Sequence, residues 1–224
     1  MWILLGYSEL KMDKNAEAED AFKQAEKLDA VKPETHYFLG IAHYEQGEYS
    51  EAVDALELAL LYNFEPEGEA YLKLADCQSQ LGNYEDAVEA YEYLIKIDHT
   101  DLQLFERALD LTMNQLGDMD RALTLAQEST SYFAGEAGSH TMLAEVYLRR
   151  GETENAELSI QKAFDLDPDS AGAHFLAGQV RLAQDNKEGA KWEFKKAYEL
   201  SEPGDALSVE AAQQYNSLIL DSES

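Results

Sequence analysis

Six alanines, at positions 18, 52, 87, 122, 156 and 190, stand 34 or 35 residues apart along the whole chain. Each carries a similar company. Leu143-Ala144 and Tyr147 precede Gly151, which is followed by Ala156, Ile160, Ala163 and Pro168. Leu39-Gly40 leads to Gly47, Tyr49, Ala52, Leu56 and Ala59, and Leu74-Ala75 leads to Gly82, Tyr84, Ala87, Tyr91 and Leu94. Ala177-Gly178 leads to Ala190, Phe194 and Ala197; Trp2 and Leu5-Gly6 lead to Ala18, Phe22 and Ala25. The fourth copy is the weakest: it keeps Leu109, Gly117, Ala122 and Ala126, but its late positions turn polar. A fixed spacing of this size means one supersecondary unit copied in tandem, each copy needing its neighbours to bury its apolar face.

Within a copy the apolar residues have helical spacing. Tyr71, Leu74, Ala75 and Gln78 fall at i, i+3, i+4, i+7, and Ala87, Tyr91 and Leu94 form a second stripe after Gly82. Glycine and proline are scarce, and alanine, leucine and glutamate dominate, which favours helices over strands. The pattern resembles the tetratricopeptide-repeat family over about residues 1–204. That resemblance implies an all-α fold, an α-solenoid in which helix-turn-helix pairs coil into a right-handed superhelix. The expected repeats are 1–32, 33–67, 68–102, 103–136, 137–170 and 171–204, giving twelve helices. Residues 205–224 follow as a capping helix and short acidic tail; Ala206–Leu220 pairs apolar Leu207, Ala211, Tyr215 and Leu218 with a polar face, and Asp205 is placed as its N-cap. Repeat four, with Ser129 and Ala134 at late positions, should be the first to open.

The net charge is −28, from 45 acidic against 17 basic residues, and every third of the chain is acidic. Such a surface repels phosphate backbones and anionic headgroups, so nucleic acid is excluded as a partner. No apolar run reaches the roughly 20 residues of a membrane span, which excludes direct membrane insertion. The single Cys77 excludes an internal disulfide and a Cys-based zinc site, and with no apparent leader the expected location is cytoplasmic, soluble and reducing. The chain begins almost at its first aromatic, Trp2, leaving Met1, Trp2, Ile3 and Leu4 as an uncapped apolar edge for self-association; an alternative is that the chain is a regulatory or peptide-sensing module cut from a larger protein.

Catalytic signatures are missing from the sequence: no Gly-x-Gly-x-x-Gly, phosphate loop or His-Glu-x-x-His occurs. Asp165, Asp167 and Asp169 imitate the start of a calcium loop, but Pro168 intrudes and Ser170 and Leu176 replace the glycine and glutamate it needs. His36, His140 and His174 fall in the opening aromatic slot of their repeats and read as packing residues. His36 and His43 share a helix face, with no carboxylate evident from spacing to complete a site. The expectation is therefore no enzyme, no cofactor and no metal, with Cys77 a buried space-filler.

The family resemblance places a groove on the first helices of successive repeats. Its stripe here is Tyr7 and Leu10, then Glu34, Tyr37, Ile41 and Tyr44, then Leu72 and Asp76, then Arg107 and Asn114. The partner implied is another protein or peptide, an extended or helical segment with basic flanks facing Glu34, Glu45, Glu69 and Asp76. A clamp for chaperone-tail carboxylates is not expected, since Lys73 alone among those groove places is suitable. With helix pairing assigned to the other stripe, truncating Tyr37 or Tyr44 should leave melting unchanged.

Overall fold

The computed structural model describes residues 1–223, with side chains through residue 220. Thirteen α-helices and no strand occur among the described residues. The chain divides between Leu116 and Gly117 into two compact units. The first holds α1 (Trp2–Leu10), α2 (Asn15–Leu28), α3 (Pro33–Gln46), α4 (Tyr49–Leu61), α5 (Glu67–Leu81), α6 (Tyr84–Ile97) and α7 (Leu102–Leu111), which runs into a π-helical turn at Thr112–Leu116. The second holds α8 (Met119–Tyr132), α9 (Ala137–Arg149), α10 (Thr153–Leu166), α11 (Ala171–Ala183), α12 (Lys187–Leu200) and α13 (Ala206–Glu223).

Local chemistry accounts for the breaks. Gly47 and Gly82 take φ of 77° and 78°, the left-handed conformation in which an L side chain is strained. Each ends its helix by satisfying the last carbonyls: Glu48 N–H donates to His43 O and Asn83 N–H to Gln78 O, both at 2.9 Å. Asp101, Asp118, Ser170 and Asn186 cap α7, α8, α11 and α12 by accepting backbone N–H bonds at 2.9 to 3.3 Å. Asp205 accepts from Ser208 N–H and opens α13 as expected.

Within each unit, consecutive helices pack as antiparallel pairs and stack on the next pair. The small residues of the motif set how closely they approach. A Cβ on Gly6 would lie 2.6 Å from the Phe22 ring, one on Gly178 2.6 Å from Phe194, and one on Gly40 2.8 Å from Leu56. Phe22, Phe194 and Leu56 are fully buried, each contributing about 2–3 kcal/mol of apolar burial. In the first unit, Phe22 and Leu39 form one core cluster with Ile3, Leu10 and Phe38 packed on it. A second gathers Ala52, Leu56, Phe64 and Cys77, with Tyr37 and Tyr44 against it. In the second unit α13 closes the stack: Ala211 is buried with Phe194, and Leu207, Tyr215 and Leu218 pack around them. At the N-terminal edge Met1 and Leu4 are 94% and 75% exposed, whereas Trp2 and Ile3 are half-buried.

Candidate functional site

The first helices of the first unit carry a ladder of aromatic rings. Phe38 lies parallel to the buried Phe22 at 5.7 Å and meets Tyr7 edge-on at 5.5 Å. On its other side it meets Tyr37 edge-on at 5.3 Å, and Tyr37 stacks on Phe64 at 4.1 Å with the planes 13° apart. Offset and edge-on pairs of this kind add about 0.5–1.5 kcal/mol each beyond burial. The ladder floors a cleft of about 760 Å³ on α1, α3 and α5, to which Leu10 and Ile41 also contribute. Glu34, Glu45, Glu65, Glu69 and Asp13 stand around it, against Lys11 and Lys73. Five carboxylates to two ammoniums leave a negative rim, and the Lys73 ammonium lies over the Tyr44 ring at 4.2 Å. The Tyr37 hydroxyl donates to Glu69 at 3.1 Å. Burial first, and that carboxylate second, push the Tyr37 phenol up to about 12.

A neighbouring hollow of about 370 Å³ contains Tyr44, Asp76 and Arg107. Here Asp76 is the hub: the Tyr91 hydroxyl and Arg107 Nη1 each donate to it at 3.1 Å, and Lys73 lies 3.9 Å away. Asp76 and Arg107 thus tie α5, α6 and α7 together. Asn114, in the π turn, donates to Asp110 at 2.7 Å. Leu72 and Asn114 line neither cavity. The structure therefore brings Tyr7, Leu10, Glu34, Tyr37 and Ile41 into one cleft and sets Tyr44, Asp76 and Arg107 beside it. Sequence spacing missed Phe64, which lies in the loop between α4 and α5 and is 5% exposed. It also separated groove from core too sharply: Tyr37 lines the cleft and packs on the Phe64 cluster at once, so its truncation cannot leave stability untouched.

The second unit has its own cleft of about 560 Å³ on α9, α11 and α13, with Leu148 and Phe175 below Glu145, Arg149 and Glu210. Arg149 is held by Glu145 at 2.8 Å.

His36 and His174 are buried packing residues with fixed partners. His36 Nε2 faces Ala30 O at 2.8 Å, and His174 Nδ1 faces Glu193 at 2.7 Å. His43 differs from expectation, because carboxylates do meet it: Glu48 lies 2.7 Å from its Nδ1, and one oxygen from each of Glu19 and Glu48 falls within 4.8 Å of a His43 ring nitrogen. The Lys23 ammonium is bonded to Glu19 and holds its carboxyl below the usual range, and Gln46 donates to it at 2.9 Å. The cluster is an ion network already supplied with a cation. Cys77 is buried; burial first, and Asp76 second, push its thiol up to about 11, away from the reactive thiolate.

The tetratricopeptide repeat family model matches residues 3–66, 39–101, 114–171 and 141–205. The chain belongs to the tetratricopeptide-repeat family. The unmatched interior stretch, residues 102–113, is α7 and the start of the π turn. Among solved structures, the C-terminal part of a TPR repeat-containing protein from Cytophaga hutchinsonii is similar at a TM-score of 0.70 and 18% identity, over 98% of this chain and 90% of that one. YrrB, a TPR protein described as having an unusual peptide-binding site, is similar at 0.59 and 17%, over 87% of this chain and 99% of its own. MamA from Desulfovibrio magneticus RS-1, from residue 41 to its end, is similar at 0.60 and 20%, over 78% and 97%. No curated protein matches the chain by sequence. No described helix is long and apolar enough to cross a membrane.

Proposed function

We propose that this chain is an interaction scaffold whose cleft on α1, α3 and α5 holds an extended or helical segment of another protein. The observation that carries the reading is the aromatic ladder Tyr7–Phe38–Tyr37–Phe64 beneath a rim of carboxylates. Such a cleft selects an apolar or aromatic anchor flanked by Lys or Arg: the rings supply contact area, and the rim steers cationic flanks. YrrB, a similar helical stack, is described as having a peptide-binding site, which supports a peptide ligand here. The test is a binding titration of the intact chain against a partner recovered by pull-down. Tyr7 is 43% exposed at the cleft wall, so Tyr7→Ala should keep the fold, with stability lowered by about 1 kcal/mol for the lost Phe38 contact. It should weaken binding by roughly thirty- to a thousandfold, the cost of about 2–4 kcal/mol expected at a true anchor. Unchanged affinity in that variant would place the partner elsewhere.

A further inference from the structure

Two residues after each marker alanine, the second helix of every repeat presents one side chain to solvent. In the first four repeats it is Asp20, Asp54, Glu89 and Thr124, all exposed. In the last two it is Leu158 and Trp192, still 66% and 55% exposed. A tryptophan in that register is set among cations. Lys187, Lys191, Lys195 and Lys196 place four of the chain's twelve lysines within ten residues of one helix, in a protein of net charge −28. Of the helix's three acids, Glu193 turns inward to His174 at 2.7 Å, and Glu199 is shared by Lys195 and Lys196 at 3.5 and 3.8 Å. The indole is also held in place, its ring meeting the buried His174 edge-on at 5.7 Å. The outer face of α12 is thus a fixed aromatic anchor flanked by lysines, on a chain whose other exposed faces are mainly acidic.

That chemistry is what the cleft of the first unit selects. We propose that α12 of one copy docks, Trp192 foremost, into the aromatic cleft on α1, α3 and α5 of a second copy. The inference rests on the reading of the cleft given above. It supplies the complement of both features, Trp192 to the Tyr7–Phe38–Tyr37 ladder and the lysines to Glu34, Glu45, Glu65 and Glu69. The contact uses different surfaces on the two copies, so each added copy leaves one cleft and one α12 open, and assembly grows with concentration or closes as a ring. It also sets the self-contact in competition with any partner segment. Repulsion between the acidic bodies is confined to about 8 Å at 0.15 M salt, so complementarity at the contact decides the outcome.

Sedimentation of the purified full chain in 0.15 M salt tests this. The mass should rise with concentration. Trp192→Ala, the double reversal Lys191→Glu with Lys195→Glu, and Tyr7→Ala should each raise the midpoint concentration at least about tenfold. The reversed lysines lie on the surface, so they guard against misfolding of Trp192→Ala. A mixture of Trp192→Ala, which keeps a working cleft, with Tyr7→Ala, which keeps a working α12, should pair and stop at two copies. A chain that stays monomeric at every concentration overturns the proposal. So does association that survives the α12 variants but is lost with Trp2→Ala plus Ile3→Glu at the N-terminal edge. A labelled Lys-Lys-Trp-Lys-Lys peptide separates the two readings. If it binds wild type and Trp192→Ala alike but not Tyr7→Ala, the cleft stands even where self-docking fails; if it binds neither, both fall.

Discussion

Tyr37 belongs to two structures at once. Its ring stacks on Phe64 and helps hold α3 to the loop before α5, while its hydroxyl reaches Glu69 at the cleft rim. Tyr37→Phe keeps the stack and removes one exposed hydrogen bond, a change of about 1 kcal/mol at most. Tyr37→Ala empties a half-buried ring position and should lower stability by roughly 1–3 kcal/mol in a urea titration. Alkaline pH gives a second readout. The folded phenol, at about 12, sits above its ordinary value near 10, so the folded state favours the protonated form. The resulting contribution is complete below pH 10 and is lost as the pH rises through 12. Wild type should therefore lose more stability than Tyr37→Phe between pH 10 and 12; parallel losses would mean the phenol does not sense the fold.

At the scale of the helix pair, repeat four is the irregular one. Its first helix ends in the π turn Thr112–Leu116, where the Thr112 hydroxyl bonds Ala108 O at 2.6 Å. Its second helix buries Ser129, whose hydroxyl bonds back to Ala126 O at 2.8 Å where other repeats bury an apolar side chain. Hydrogen exchange should therefore open α7 and α8 before their neighbours, and uniform protection across residues 103–136 and the flanking repeats would contradict this. Sequence spacing was enough to read the helices of the repeats and the Asp205 cap, because each depends on residues a few positions apart. The π turn was invisible to it, since Leu109 to Gly117 spans the same eight residues as Leu74 to Gly82. At the cleft, Tyr7, Leu10, Glu34, Tyr37 and Ile41 follow from one helical stripe. Phe64 does not: it lies in the loop between α4 and α5, outside any helical period. The meeting of Glu19 with His43 and Glu48 joins α2, α3 and the turn before α4, and spacing along one helix cannot reveal it.

Across the whole molecule, stability in a tandem array is a sum over units and the interfaces between neighbours, and it fails first at the weakest one. Acidic charge is spread through every third of the chain, so no single terminal block explains where that weakness falls. The division between Leu116 and Gly117, inside the irregular fourth repeat, has a mechanical consequence. A molecule tethered by its two termini in an optical trap should lengthen in two separate rips, one for each unit. The units are of similar length, so each rip should release about 400 Å of slack at roughly 3.5 Å per residue, less the span of the folded unit. A single rip of about twice that size would mean the two halves yield as one. Two rips would make the chain a tether that gives way in stages, keeping one unit folded after the other has been pulled open.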